Sequence, residues 1–161
     1  MNTYFNARKI ILTINAMLAA VLILNSNAIM AADLETEFIN STPGFSQVAT
    51  VSSNGIKTIY ISGQVGIRDG EVPESFSDQV DVLFTNMANQ LEAAGASFAD
   101  VIKLTGFIVD IDSERVAAYS QGRNQYFPSD TPPPASTLIG VSGLVFPALQ
   151  IEVEAIAVIE E

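Results

Sequence analysis

Leu149-Gln150-Ile151-Glu152-Val153-Glu154-Ala155-Ile156-Ala157-Val158-Ile159 has two unlike faces when read as a β-strand. Side chains alternate along a strand, so Leu149, Ile151, Val153, Ala155 and Ala157 point one way. Gln150, Glu152, Glu154, Ile156 and Val158 point the other. The first set suits a layer of helices. The second mixes carboxylates with aliphatics, which is odd for a solvated face and reasonable for a subunit interface holding a polar cleft. A charge on such a strand is costly unless it is paired, neutralised or used.

The rest of the chain supplies partners for that strand. Residues 137–145 read as another strand, entered through the stiff Asp130-Thr131-Pro132-Pro133-Pro134. Residues 45–52 and 56–64 form a hairpin around Ser53-Asn54-Gly55, an Asn-Gly turn signal. In residues 75–94, Val80, Phe84, Met87 and Leu91 recur at helical spacing, Ser75 and Asp78 give a capping pattern, and Gly95 stops the helix. Residues 101–109 are a strand, and Asp112-Ser113 opens a second helix that Pro128 ends. The predicted order is ββαβαββ. Two amphipathic helices cover one face of a sheet, which makes the domain an α+β two-layer sandwich.

Composition narrows the chemistry. The chain has 161 residues with neither Cys nor His, so thiol nucleophiles, disulfides and imidazole bases are absent. All eighteen acidic residues lie from Asp33 onward with five of the seven basic ones, giving 5 − 18 = −13 for that region. Such a field repels phosphate backbones and argues against a nucleic-acid partner. Glu152 and Glu154 could form a carboxylate pair, but no third ligand accompanies them, so neither a metal nor a cofactor is expected.

Residues 1–32 have the three-part layout of a secretory signal peptide: basic Arg8-Lys9, an apolar run at 10–24, and a polar, small-residue exit. The run is short for a transmembrane helix. Cleavage near Ala32 would leave residues 33–161 as one periplasmic or secreted domain with no stable membrane association. An uncleaved anchor, or a cytoplasmic protein started at Met30, are the alternatives.

Ser62-Gly63-Gln64, Gly70-Glu71-Val72-Pro73, Leu91-Glu92-Ala93-Ala94-Gly95, Gln125-Tyr126-Phe127, Pro134-Ala135 and residues 151–157 occur in the order and spacing of the reactive intermediate deaminase family (Rid, YjgF or L-PSP). The resemblance covers about residues 43–160. It implies a chorismate-mutase-like fold with a mixed sheet and two helices on one face. It also implies a homotrimer with clefts between subunits, a small imine, enamine or carboxylate ligand, and hydrolysis of 2-imino or enamine acids to 2-oxo acids and ammonia. Glu152 matches the family's water-positioning glutamate, and Gly63 the loop bordering the cleft. Phe45 stands where a tyrosine lines the cleft, Ser120 where an asparagine does, and Ser136 where an arginine binds the substrate carboxylate. A serine hydroxyl is neither cationic nor bidentate, so weak deamination of imino acids is expected. Arg123, one turn beyond Ser120, is the candidate substitute cation. A noncatalytic small-molecule-binding or chaperone-like trimer on the same scaffold is the alternative function.

Overall fold

The computed structural model of the chain describes residues 33–161, so the expected leader lies outside the described residues. Six strands form one mixed sheet in the order β1-β2-β3-β6-β4-β5. They are β1 (Glu35–Thr42), β2 (Phe45–Ser53), β3 (Ile56–Val65), β4 (Val101–Val109), β5 (Ala135–Val141) and β6 (Ile151–Glu160). Helix α1 (Phe76–Ala93) links β3 to β4, and α2 (Ser113–Tyr126) links β4 to β5. Only β4 and β5 pair in parallel. The α+β sandwich stands as expected, with one strand added at the N-terminal edge.

That added strand, β1, has no buried residue, and Ile39 alone is partly covered. An edge strand without an apolar alternation gives no period-two signal, although its backbone pairs with β2 from Glu35 to Thr42. The other departure is at β5, which ends at Val141 rather than at 145. Ser142-Gly143 and Pro147 interrupt the extended backbone, and Leu149 N–H turns back to the Phe146 carbonyl at 3.0 Å.

Local signals explain the remaining ends. Asn54 and Gly55 both have positive φ, +54° and +76°, as the two-residue turn between β2 and β3 requires. The Ser75 side chain caps α1 by accepting from Asp78 N–H at 3.3 Å. Gly95, at φ +81°, closes α1 with Ala96 N–H on the Leu91 carbonyl and its own N–H on that of Glu92. Asp112 caps α2 by accepting from Arg115 N–H at 2.8 Å.

The core lies between α1 and the sheet. Val80, Phe84, Met87 and Leu91 are fully buried against Ile59, Leu104, Ile151 and Val153. Helix α2 reaches the core through Tyr119 and Gly122, where a side chain would collide with Val80 of α1. Glycine there allows the two helices to approach closely. On β6 the buried and open faces alternate as the sequence predicts: Ile151, Val153, Ala155 and Ala157 are buried, whereas Glu152, Ile156 and Val158 are half-buried and Glu154 is exposed. Opposite the helices the sheet carries the register row Phe38, Ala49, Tyr60 and Ile156, which no helix of the described residues covers. Among the described residues no helix is long and apolar enough to cross a membrane.

Candidate functional site

A break in strand register builds the site. Between Ile61 and Gln64 the pairing of β3 with β6 slips, and Gly63 falls in the slip. A β-bulge turns the strand locally and opens space over its backbone. The Glu152 carboxylate occupies that space. A Cβ on Gly63 would overlap Glu152 Oε1 and stand 2.6 Å from its carboxyl carbon. Glycine at position 63 is therefore what lets the acid lie flat on β3.

Around this contact is a cleft of about 590 Å³, to which Phe45 and Gln47 of β2 and Val145 and Phe146 of the β5–β6 loop also contribute. Burial pushes the Glu152 carboxyl above its ordinary range, and the charge of Glu154 pushes it further. No cation pairs with Glu152 among the described residues, where the ion pair is Lys57 with Glu161. The acid is thus half-buried, unpaired and easier to protonate than a surface carboxylate. That suits a group that takes and returns a proton.

Two carboxamides of α1 hold the walls. Asn86 Nδ2 donates to the carbonyls of Val65 and Ile67 at 3.0 and 2.9 Å, fixing the chain as it leaves β3. Gln79 is fully buried; its Nε2 donates to the carbonyls of Pro73 and Ala148, and its Oε1 accepts from Gln150 N–H. Arg115 secures the same loop by donating to the Val109 carbonyl and to Gln150 Oε1. Neither Gln79 nor Asn86 stands out by motif. Their signal in the sequence is two amides seven residues apart on a helix whose buried positions, Gln79 apart, are apolar.

Of the residues singled out in the sequence, one chain brings together Phe45, Gly63 and Glu152. Arg123 lines a separate hollow of about 300 Å³ under Pro132-Pro133-Pro134, with its guanidinium on Asn124 Oδ1 at 2.8 Å. The Ser120 hydroxyl donates to the Val116 carbonyl at 2.8 Å within α2. Ser136 pairs with Leu104 in the β4–β5 register, and its hydroxyl lies near Tyr119. The Tyr119 hydroxyl is buried with no partner in hydrogen-bond geometry. Burial pushes its pKa up, while the Arg123 charge and the nearby Ser136 hydroxyl draw it down. Within one chain, then, Ser120, Arg123 and Ser136 do not meet the Glu152 cleft. Among the described residues no group of three Asp, Glu, His or Cys side chains converges as a metal site would require.

The chain is thus an α+β sandwich whose mixed sheet carries a cleft with an acid laid over a bulge glycine. The family model described as Endoribonuclease L-PSP matches residues 35–159, and the chain belongs to that family, also known as Rid or YjgF. It is 37% identical over 106 residues to a 2-iminobutanoate/2-iminopropanoate deaminase of Dermatophagoides farinae, covering 64% of this chain and 79% of that one. It is 36% identical over 104 residues to the RutC family protein YjgH of Escherichia coli, covering 64% and 76%. Among solved structures, Escherichia coli TdcF with bound serine is similar at TM-score 0.63 and 28% identity, over 74% of this chain and 91% of that one. RidA from an Antarctic Psychrobacter is similar at TM-score 0.62 and 28% identity, with the same coverage.

Proposed function

We propose that this protein is a Rid-family deaminase that hydrolyses small imines or enamines to a carbonyl compound and ammonia. The observation that carries this reading is the unpaired Glu152 carboxylate over Gly63, with its pKa raised by burial, in a cleft of substrate size. The deaminase relatives support it. Water held by Glu152 adds to the imine carbon, the C=N electron pair moves to nitrogen, and the water proton passes to the carboxylate. Glu152 then returns that proton to nitrogen. Glu152 next takes the carbinol oxygen's proton as the carbonyl forms and passes it to nitrogen, so that the C–N bond breaks with ammonia as the leaving group. No cofactor takes part in these steps.

The assembly proposed is a homotrimer with clefts between subunits. The uncovered apolar row on the open sheet face supports it. Ser120, Arg123 and Ser136 would then reach the cleft from a neighbouring copy. The segment before Asp33 is proposed as a secretory leader, on the strength of Arg8-Lys9 and the apolar run after them. Protein recovered from a periplasmic fraction should begin near Asp33, whereas a cytoplasmic protein beginning at Met30 would refute export. The acidic charge speaks against RNA as substrate.

Ammonia release above the uncatalysed rate, from freshly generated imines, tests the activity on the parent and on Glu152→Gln. Acceleration lost in the variant supports the reading. Equal rates in the two proteins remove Glu152 from the chemistry. A noncatalytic binding trimer is the second reading, favoured by Ser136 standing where a guanidinium would anchor an imino acid.

A further inference from the structure

We infer that the Glu152 cleft takes imines that carry an apolar or aromatic group and no carboxylate, bound as iminium cations. This inference rests on the imine-hydrolase reading of the same cleft and names its substrate class. The groups that the cleft offers a ligand decide it. Phe45, Val145 and Phe146 present large apolar side chains at its mouth, 55, 73 and 54% exposed in the single chain. They match an apolar or aromatic group on the ligand.

The polar groups are mostly acceptors. Gln64 Nε2 is engaged by Gln47 Oε1 at 2.8 Å and the Ser62 carbonyl at 2.9 Å. Asn86 Nδ2 is engaged by two carbonyls, and the Ser62 hydroxyl by the Ser46 carbonyl at 2.7 Å. Among the described residues, Gln47 is the side-chain amide of the cleft whose N–H groups remain free, too little to hold a desolvated carboxylate. Glu152 adds a full acceptor charge.

No Lys or Arg of the described residues lines the cleft. Lys57 is paired with Glu161, and Lys103 donates to the Leu104 carbonyl and Thr137. Arg115 is held by Val109 and Gln150, and Arg123 by Asn124 in the other hollow. Arg68 stands on the turn beyond Ile67. Within one chain a ligand carboxylate would meet the Glu152 charge with no counterion, and a neighbouring copy would bring Ser136 where the resemblance has an arginine, whereas an iminium N–H would meet an acceptor. The net charge of −13 from Asp33 onward raises the local concentration of cations. The reaction balances: one iminium cation and one water give one ketone or aldehyde and one ammonium ion. Glu152 carries protons between oxygen and nitrogen and ends as it began.

Calorimetric titration of the full chain with benzamidine and with phenylacetate tests the ligand class apart from turnover. Benzamidine should bind at least tenfold more tightly, and Glu152→Gln should lose that preference, with benzamidine weakened and phenylacetate bound no less tightly than by the parent. Equal or tighter binding of phenylacetate overturns the inference. So does a loss of phenylacetate binding in Arg123→Ala, which would place a neighbour's guanidinium in the cleft. In the turnover arm, an amine oxidase acting on phenethylamine generates a carboxylate-free imine, and an amino-acid oxidase acting on alanine generates 2-iminopropanoate. Acceleration at least tenfold greater for the first supports the inference, and the reverse order overturns it. Benzamidine preference with neither imine accelerated upholds the ligand class and removes the hydrolase reading.

Discussion

At the residue scale, Glu152 sets activity against stability. Its pKa is raised above the ordinary 4.5, first by burial and then by Glu154, so ionising it costs the folded chain more than the unfolded one. Stability from this group is complete below pH 4.5, where both states are protonated. It is lost as the pH rises through the folded pKa. Glu152→Gln removes the penalty. Its melting temperature should exceed the parent's at about pH 7, and the gap should close below about pH 4.5. The same variant should lose roughly 10²-fold in turnover, the usual worth of a positioned acid–base group. Thermal melts and ammonia release, each followed against pH, check both halves. Gly63→Ala probes the other side of the contact. Its methyl group would overlap the carboxylate, so Glu152 or the bulge must shift. About 1–3 kcal/mol of destabilisation by denaturant titration is expected, with a fall in turnover of about tenfold or more. Parent-like turnover in Gly63→Ala would show that Glu152 need not lie on the bulge.

At the element scale, α1 both fills the core and holds the cleft open. Gln79 joins the loop before α1 to the one before β6 through three hydrogen bonds. Gln79→Leu keeps the volume but strands two carbonyls and an N–H, and should cost about 2–4 kcal/mol in urea unfolding. Turnover should fall too, because the freed loop carries Phe146. Elements whose ends and faces follow from local chemistry are legible in the sequence: α1 from its cap, stripe and Gly95, and β6 from its alternation. The carboxylates of β6 are legible as charges on a strand with one apolar face, but the resemblance, not the pattern, separates Glu152 from Glu154. Strand β1 is not, because an exposed edge holds its place by backbone pairing that leaves no mark on side-chain pattern. Val145 falls inside an expected strand and instead borders the cleft, since loop geometry depends on contacts distant in sequence. The bulge at Gly63 is equally hidden, because a register slip belongs to two strands at once.

At the scale of the whole molecule, the sheet face opposite the helices is what the described residues of one chain leave uncovered. Phe38 and Tyr60 are 66 and 46% exposed, and in register with Ala49 and Ile156 they form an apolar band across β1, β2, β3 and β6. Beside the band lies Glu154, exposed and on the same strand face as Ile156. Packing three such faces around a common axis would cover the band and bring three copies of each residue close together. A new carboxylate on it would be desolvated three times over, next to carboxylates already there. Tyr60→Glu should therefore convert a trimer into monomers in light scattering coupled to gel filtration, while the far-UV circular dichroism stays that of the parent. The consequence for function separates two kinds of cleft. If a neighbouring copy completes the site, the Tyr60→Glu monomer should lose turnover although Phe45, Gly63 and Glu152 remain assembled within its chain. Turnover per chain equal to the parent's would mean that the single-chain cleft is already the whole site. Ser120, Arg123 and Ser136 would then have no part in it.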